Sequence, residues 1–167
     1  MTHKQFIEKY KAAALKSQAE KGIDYRFTLA QAALESGWGK HAPGNMFFGV
    51  KATKDTPEHK RQLLTTTEIL SDDRQGYRFP QVLSIAKRLD GKYLYRVKDW
   101  FRKYATPEEC FSDHADFFYK NKRYAEALSV KHDPYLFADA IARAGYATAP
   151  NYAETLKNVI KTIEKNL

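Results

Sequence analysis

Apolar positions change their spacing twice along the chain. Near the N-terminus Phe6, Ile7, Tyr10 and Ala14 recur at three- and four-residue intervals, which draws one face of an amphipathic helix. Thr2 and Gln5 precede that face at capping-box spacing, so the pattern predicts a first helix running to about Ala19. The stretch "EKGID" breaks it. Phe27, Ala30, Ala33 and Leu34 then predict a second helix from near Asp24 to Gly37, whose small residues suit close packing by neighbours. Gly37 ends it at a natural C-cap position.

From Lys60 the helical spacing gives way to branched residues. "RQLLTTTEILSDD" and "GKYLYRVKDWF" predict two strands of a hairpin or small sheet. Residues 71–89 lie between them, contain Gly76 and Pro80, and show no readable period. Helical spacing then returns. Thr106-Pro107-Glu108-Glu109 supplies an N-cap, a proline at the first helical position and an acid three residues after the cap. Asp133-Pro134 repeats the start signal, and Leu136, Phe137, Ala140, Ile141 and Ala144 follow on one face up to Gly145. Tyr152, Leu156, Val159, Ile160 and Ile163 form the apolar face of a last helix. The expected protein is α+β and mainly α. It is a single domain over residues 1–167, with a β insertion at about residues 60–100.

Composition narrows the classes. A chain of 167 residues can bury a real core as one domain. No apolar run approaches the about 18 residues that a membrane span needs. The opening "MTHKQFIEKY" lacks the apolar segment of a secretory signal. The net charge of +8 points to a polyanionic partner, nucleic acid or an acidic polymer such as cell wall. No zinc-ligand pairing or RNP-type strand accompanies it, so nucleic acid is not the expected partner. The lone Cys110 cannot form an internal disulfide, and the acids beside it disfavour a thiolate nucleophile.

Two acids stand in unusual settings. Glu35 falls in the last turn of the second helix, next to Leu34 and before Gly37-Trp38. The negative end of the helix dipole raises a carboxyl pKa there, and burial against Trp38 and Phe47 would raise it further. A carboxyl kept neutral near about pH 6–7 is a general acid. The other reading of the same position is an exposed helix residue ahead of a simple cap. Glu68 shares a strand face with Leu64, Thr66 and Leu70, which suits either a cleft or a protected sheet edge. Asp72 and Asp73 compete with it from a turn. In "GYATAPNY", Tyr146 and Tyr152 flank a tight turn that could carry a phenol into a cleft or simply cap the core. The five histidines form no HExxH, and there is no P-loop, GxGxxG or GxSxG, so neither a metal nor a cofactor is expected.

Taken together, "AQAALESGWGKHAPGNMFFGVKA", "FRKY", "DHADFF" and "AGYATAPNYAETLKNVI" resemble the glucosaminidase family of peptidoglycan hydrolases. That family includes the flagellar rod-cap muramidase-like domain and many phage endolysins and autolysins. The resemblance runs from about Phe6 to the C-terminus. It implies a lysozyme-like fold, a helical lobe plus a small β lobe with the cleft between them. It also implies hydrolysis of the β-1,4 bond after N-acetylglucosamine, on peptidoglycan glycan strands and by a monomer. Glu35 matches the family's catalytic Glu, Tyr146 the Tyr of its GYAT motif, and Glu68 the second acid of its β lobe. Trp38, Asn45, Phe48 and Tyr152 are the substrate-binding positions it implies. With no signal segment, the expected protein stays cytoplasmic until phage-type release or signal-independent export carries it to the wall or periplasm.

The chain departs from the family where Met46 replaces a second Asn, where Ala149 replaces the Asp of GYATDP, and in the long stretch after Glu68. A non-catalytic wall-binding module and a muramidase or lytic transglycosylase are therefore alternatives. Carboxyls roughly 6.5–9.5 Å apart would indicate inversion and about 5–5.5 Å retention. A route using the substrate's own acetamido group would lean on Tyr146 more than on Glu68.

Overall fold

A computed structural model describes all residues, Met1–Leu167. The architecture is α+β, mainly α, with five helices and one three-stranded antiparallel sheet. The chain forms two compact units, one of Met1–Phe48 with Tyr104–Leu167 and the other of Gly49–Lys103. No helix is long and apolar enough to cross a membrane.

The first unit is helical. α1, His3–Lys21, opens with the expected capping box: the Gln5 backbone N–H donates to the Thr2 side chain while the Gln5 side chain accepts from the Thr2 N–H. Asp24 caps α2, Tyr25–Ser36, and Gly37 closes it in the left-handed conformation at φ 58°. Eight of the twelve residues of α2 are buried, all round the helix, because its alanines let neighbours approach closely. α1, α4 and α5 pack against it. Thr106 and Pro107 start α3, Pro107–Lys120, and Asp133 caps α4, Pro134–Arg143. Gly145, at φ 89°, turns the chain after α4, and α5, Tyr152–Lys165, buries Leu156, Ile160 and Ile163. The core is aromatic at its centre: Phe27 meets Phe137 edge-on at 4.6 Å, and Phe118 meets Phe137 at 5.2 Å.

The second unit is the sheet. β1, Arg61–Leu70, pairs with β3, Tyr93–Arg102, from Arg61↔Arg102 to Leu70↔Tyr93. The unreadable stretch 71–89 contains a strand of its own, β2, Gln81–Lys87, which pairs with the other side of β3 across a bulge between Val82 and Ser84. Six of its seven residues are exposed, so no alternation marked it in the sequence. The Tyr95 hydroxyl donates to the Asp72 carbonyl at 2.7 Å and accepts from the Gln75 N–H at 3.1 Å, which ties the turn before β2 to the sheet. The unit also starts earlier than residue 60. The N–H of Ala52 donates to the Trp100 carbonyl and the N–H of Arg102 to the Val50 carbonyl, so residues 50–52 run along the end of β3.

Candidate active site

Glu35 lies in the last turn of α2 and is exposed, not buried. Trp38 and Phe47 leave it open to solvent, because both rings are committed elsewhere. Trp38 stacks on His3 at 3.8 Å and takes the edge of Phe6 at 5.4 Å. Phe47 is buried against Tyr10 and Phe111. The carboxylate is held by one hydrogen bond instead: the Tyr152 hydroxyl donates to Oε1 of Glu35 at 3.0 Å.

Behind that contact lies a buried polar chain. The Gln31 side-chain amide donates to the Tyr152 hydroxyl oxygen at 3.0 Å, and Oε1 of Gln31 lies 2.6 Å from Nε2 of His114. Gln31 is 0 % exposed, Tyr152 9 % and His114 7 %. Gln31 and Glu35 are one helical turn apart on α2, so one face of that helix carries both the acid and its support. His114 is clamped between rings: Phe48 stacks on it at 3.6 Å and Phe117 at 6.0 Å. Burial lowers its pKa to about 3, so the ring is neutral. Burial also raises the Tyr152 phenol. The hydrogen bond from Gln31 opposes that rise and the Glu35 charge adds to it, so Tyr152 stays a hydroxyl donor.

Tyr146 follows Gly145 and packs into the same cluster. Its ring stacks on Tyr152 at 5.6 Å and lies 6.2 Å from His114 and 5.9 Å from Phe118. Burial raises its pKa, and the nearby Glu35 charge raises it further. Of the expected substrate-binding residues, Phe48 spends its face on His114. Asn45, at φ 56°, donates its amide to the backbone carbonyls of Tyr104 and Ala105 at 3.1 and 3.3 Å. Tyr152 spends its hydroxyl on Gln31 and Glu35. These side chains, like the half-buried Trp38, make these contacts within the helical unit. Cys110 is 1 % exposed, and burial, with Asp113 adding, pushes its thiol up to about 12.

In the sheet unit Glu68 is half-buried on the face of β1 that also carries Thr66 and Leu64. Its carboxylate is paired with Lys51, whose ammonium also reaches Asp99 at 3.2 Å. Strand parity explains the triad. Glu68 faces Tyr95 across the ladder, Asp99 shares the Tyr95 face of β3, and Lys51 bridges to Phe101 on that same face. Burial works against the Lys51 charge, but the hydrogen bonds and charges of Glu68 and Asp99 outweigh it and raise the pKa. Asp72 caps its own turn by accepting from the Arg74 N–H at 2.9 Å.

Sequence reasoning missed three of these residues. Lys51 belongs to the "FGVKA" block but carried no assigned role. Gln31 is a polar residue in an alanine-rich helix, four positions before the acid, and that spacing was a usable signal. His114 is a histidine within "DHADFF", and only the fold brings it to Gln31, 83 positions away.

The sequence model of the glucosaminidase family, described as mannosyl-glycoprotein endo-beta-N-acetylglucosaminidase, matches residues 11–165. The peptidoglycan hydrolase FlgJ of Vibrio cholerae is 33% identical over 166 residues, covering 96% of this chain and 43% of the relative. FlgJ of Pseudomonas aeruginosa is 29% identical over 167 residues, covering 96% and 36%. The chain thus spans less than half the length of these curated relatives. The solved glycoside hydrolase domain of Salmonella typhimurium FlgJ, truncated at its C-terminus, superposes with a TM-score of 0.72 at 31% identity. That match covers 98% of this chain and 99% of the other, and the shared fold is lysozyme-like. With Glu35 and Tyr146 inside the matched span, and the fold shared over nearly its full length, the chain belongs to the glucosaminidase family.

Proposed function

We propose that this chain is a glycosidase that hydrolyses the β-1,4 bond after N-acetylglucosamine in peptidoglycan, with Glu35 as its general acid. The observation that carries the reading is the tethered carboxylate: Glu35 ends a helix, reaches solvent, and is gripped by a buried hydroxyl. A carboxyl that only capped a surface helix would have no buried chain of hydrogen bonds behind it. Membership of the glucosaminidase family supports the substrate class, as do relatives that bear the name peptidoglycan hydrolase.

The reaction needs a proton for the leaving glycosidic oxygen and a partner for the attacking water or the developing positive charge at the anomeric carbon. Glu35 supplies the proton. Glu68 is assigned to the water, with Lys51 and Asp99 fixing the direction of its carboxylate. Tyr146, whose raised pKa keeps its phenol protonated, holds the reacting sugar or the water.

Mass spectrometry of fragments released from purified peptidoglycan tests bond and residue together. The expected products end in a reducing N-acetylglucosamine, and Glu35→Gln releases none while folding normally. Lysis by Glu35→Gln would sink the assignment of the acid. Reducing N-acetylmuramic acid ends would move the cut to the alternate bond.

A further inference from the structure

We propose that Gln31 and His114 are positioning residues that act through Tyr152 to choose which oxygen of Glu35 carries the transferable proton. They hold Oε1 as a permanent acceptor and leave Oε2 to be protonated. The inference rests on the reading of Glu35 as the general acid.

The direction of each link follows from its neighbour. Oε1 of Gln31 is a carbonyl oxygen and can only accept, so the hydrogen in its 2.6 Å contact with His114 belongs to Nε2 of the imidazole. The amide nitrogen of Gln31 is then the group turned to Tyr152, and it can only donate, at 3.0 Å. The Tyr152 oxygen thereby accepts one hydrogen bond and has a single hydrogen of its own left to give. That hydrogen goes to Oε1 of Glu35, at 3.0 Å. A proton on Oε1 would face a donor hydrogen, so the carboxyl proton belongs on Oε2. Because Gln31 is wholly buried, reversing the chain requires its amide to flip inside the core and the imidazole to change tautomer at the same time. Phe48, 3.6 Å from the imidazole face, holds the ring plane that aims Nε2.

The choice of oxygen matters for the chemistry. A general acid must present its proton along a lone pair of the leaving oxygen, and a carboxyl free to rotate presents either oxygen in several directions. A donor on Oε1 removes that freedom before substrate arrives. It also stabilises the carboxylate left after the proton has gone.

Nitrogen-15 NMR of the whole chain labelled at histidine reads the direction without any variant. His114 is expected as the Nε2–H tautomer with a bare Nδ1, and an Nδ1–H tautomer would overturn the proposal. Kinetics on soluble glycan chains from peptidoglycan give the functional arm. Gln31→Met keeps the side-chain length and removes both links. Its kcat should fall at least tenfold with KM unchanged, and the double variant Gln31→Met/Tyr152→Phe should be no slower than Tyr152→Phe alone. Multiplying losses, or a lower Tm with kcat intact, would reduce Gln31 to a structural residue and overturn the proposal. Glu35→Gln separates the two readings. If it stays active, the assignment of the acid has failed. If it is inactive while Gln31→Met keeps full kcat, only the positioning proposal has failed.

Discussion

The hydroxyl of Tyr152, at the start of α5, donates to the carboxylate of Glu35, at the end of α2, across 117 positions of sequence. The same hydroxyl accepts from Gln31 inside the core. One oxygen atom therefore joins the packing of the helical unit to the group assigned to its chemistry.

Tyr152→Phe keeps the ring and removes that oxygen. The Gln31 amide is then a buried donor without a partner, at a cost of about 1–3 kcal/mol. Urea denaturation should show this loss, and glycan cleavage should fall by more than the unfolded fraction accounts for. A variant with normal stability would mean that water enters to replace the hydroxyl.

The buried His114 makes acid stability a prediction with a definite sign. Its pKa is about 3 in the folded chain against an ordinary 6.5. Between those values the unfolded chain binds a proton that the folded chain refuses, so this contribution to stability is complete above pH 6.5 and is lost as the pH falls toward about 3. The slope approaches about 1.4 kcal/mol per pH unit within the window. Replacing His114 with Gln should flatten that part of a stability-against-pH curve measured by denaturant titration. An unchanged slope would place the acid sensitivity elsewhere.

Lys51 joins Glu68 on β1 to Asp99 on β3, and all three side chains are partly exposed. For stability the pairing is worth about 1 kcal/mol or less. Lys51→Met should therefore leave Tm nearly unchanged while peptidoglycan cleavage drops at least tenfold, because the Glu68 carboxylate loses its orienting cation. Lys98→Met, on the opposite face of β3, serves as the control and should change neither. Equal effects from both substitutions would point to general charge rather than to the triad.

Gly37 closes α2 two residues after Glu35, at φ 58°. Gly37→Ala meets His41 at 3.4 Å and must hold a left-handed backbone at a cost of about 1–2 kcal/mol. Thermal melting should register the loss. Gly145→Ala, at φ 89°, should show a similar loss and also disturb Tyr146.

Helices with capping residues were legible from sequence because their signals are local. Thr2 with Gln5, Asp24, Thr106-Pro107 and Asp133-Pro134 each cap the helix they announce. β2 was not legible, because an exposed edge strand has no buried face to impose alternation. Glu35 could be singled out by its neighbours, but not its setting. Sequence spacing suggested that Trp38 would cover it, whereas the left-handed turn sends that ring back onto His3 and Phe6 of α1. The support of Glu35 comes from α2, α3 and α5, and only tertiary packing brings Gln31, His114 and Tyr152 together.

Gly37, Trp38 and Gly39 have φ of 58°, 57° and 82°, three successive values of the sign that L-residues avoid. The three residues after Ser36 thus all carry the φ sign of the left-handed region, opposite to that of the helix they leave. That hand is the ordinary one for D-amino acids. In a chain assembled by chemical ligation, D-alanine at positions 37 and 39 should preserve the turn and stiffen it, whereas L-alanine at either position should weaken it. The pair of syntheses would separate the chirality of the turn from its need for small residues, a distinction that no encoded substitution can make.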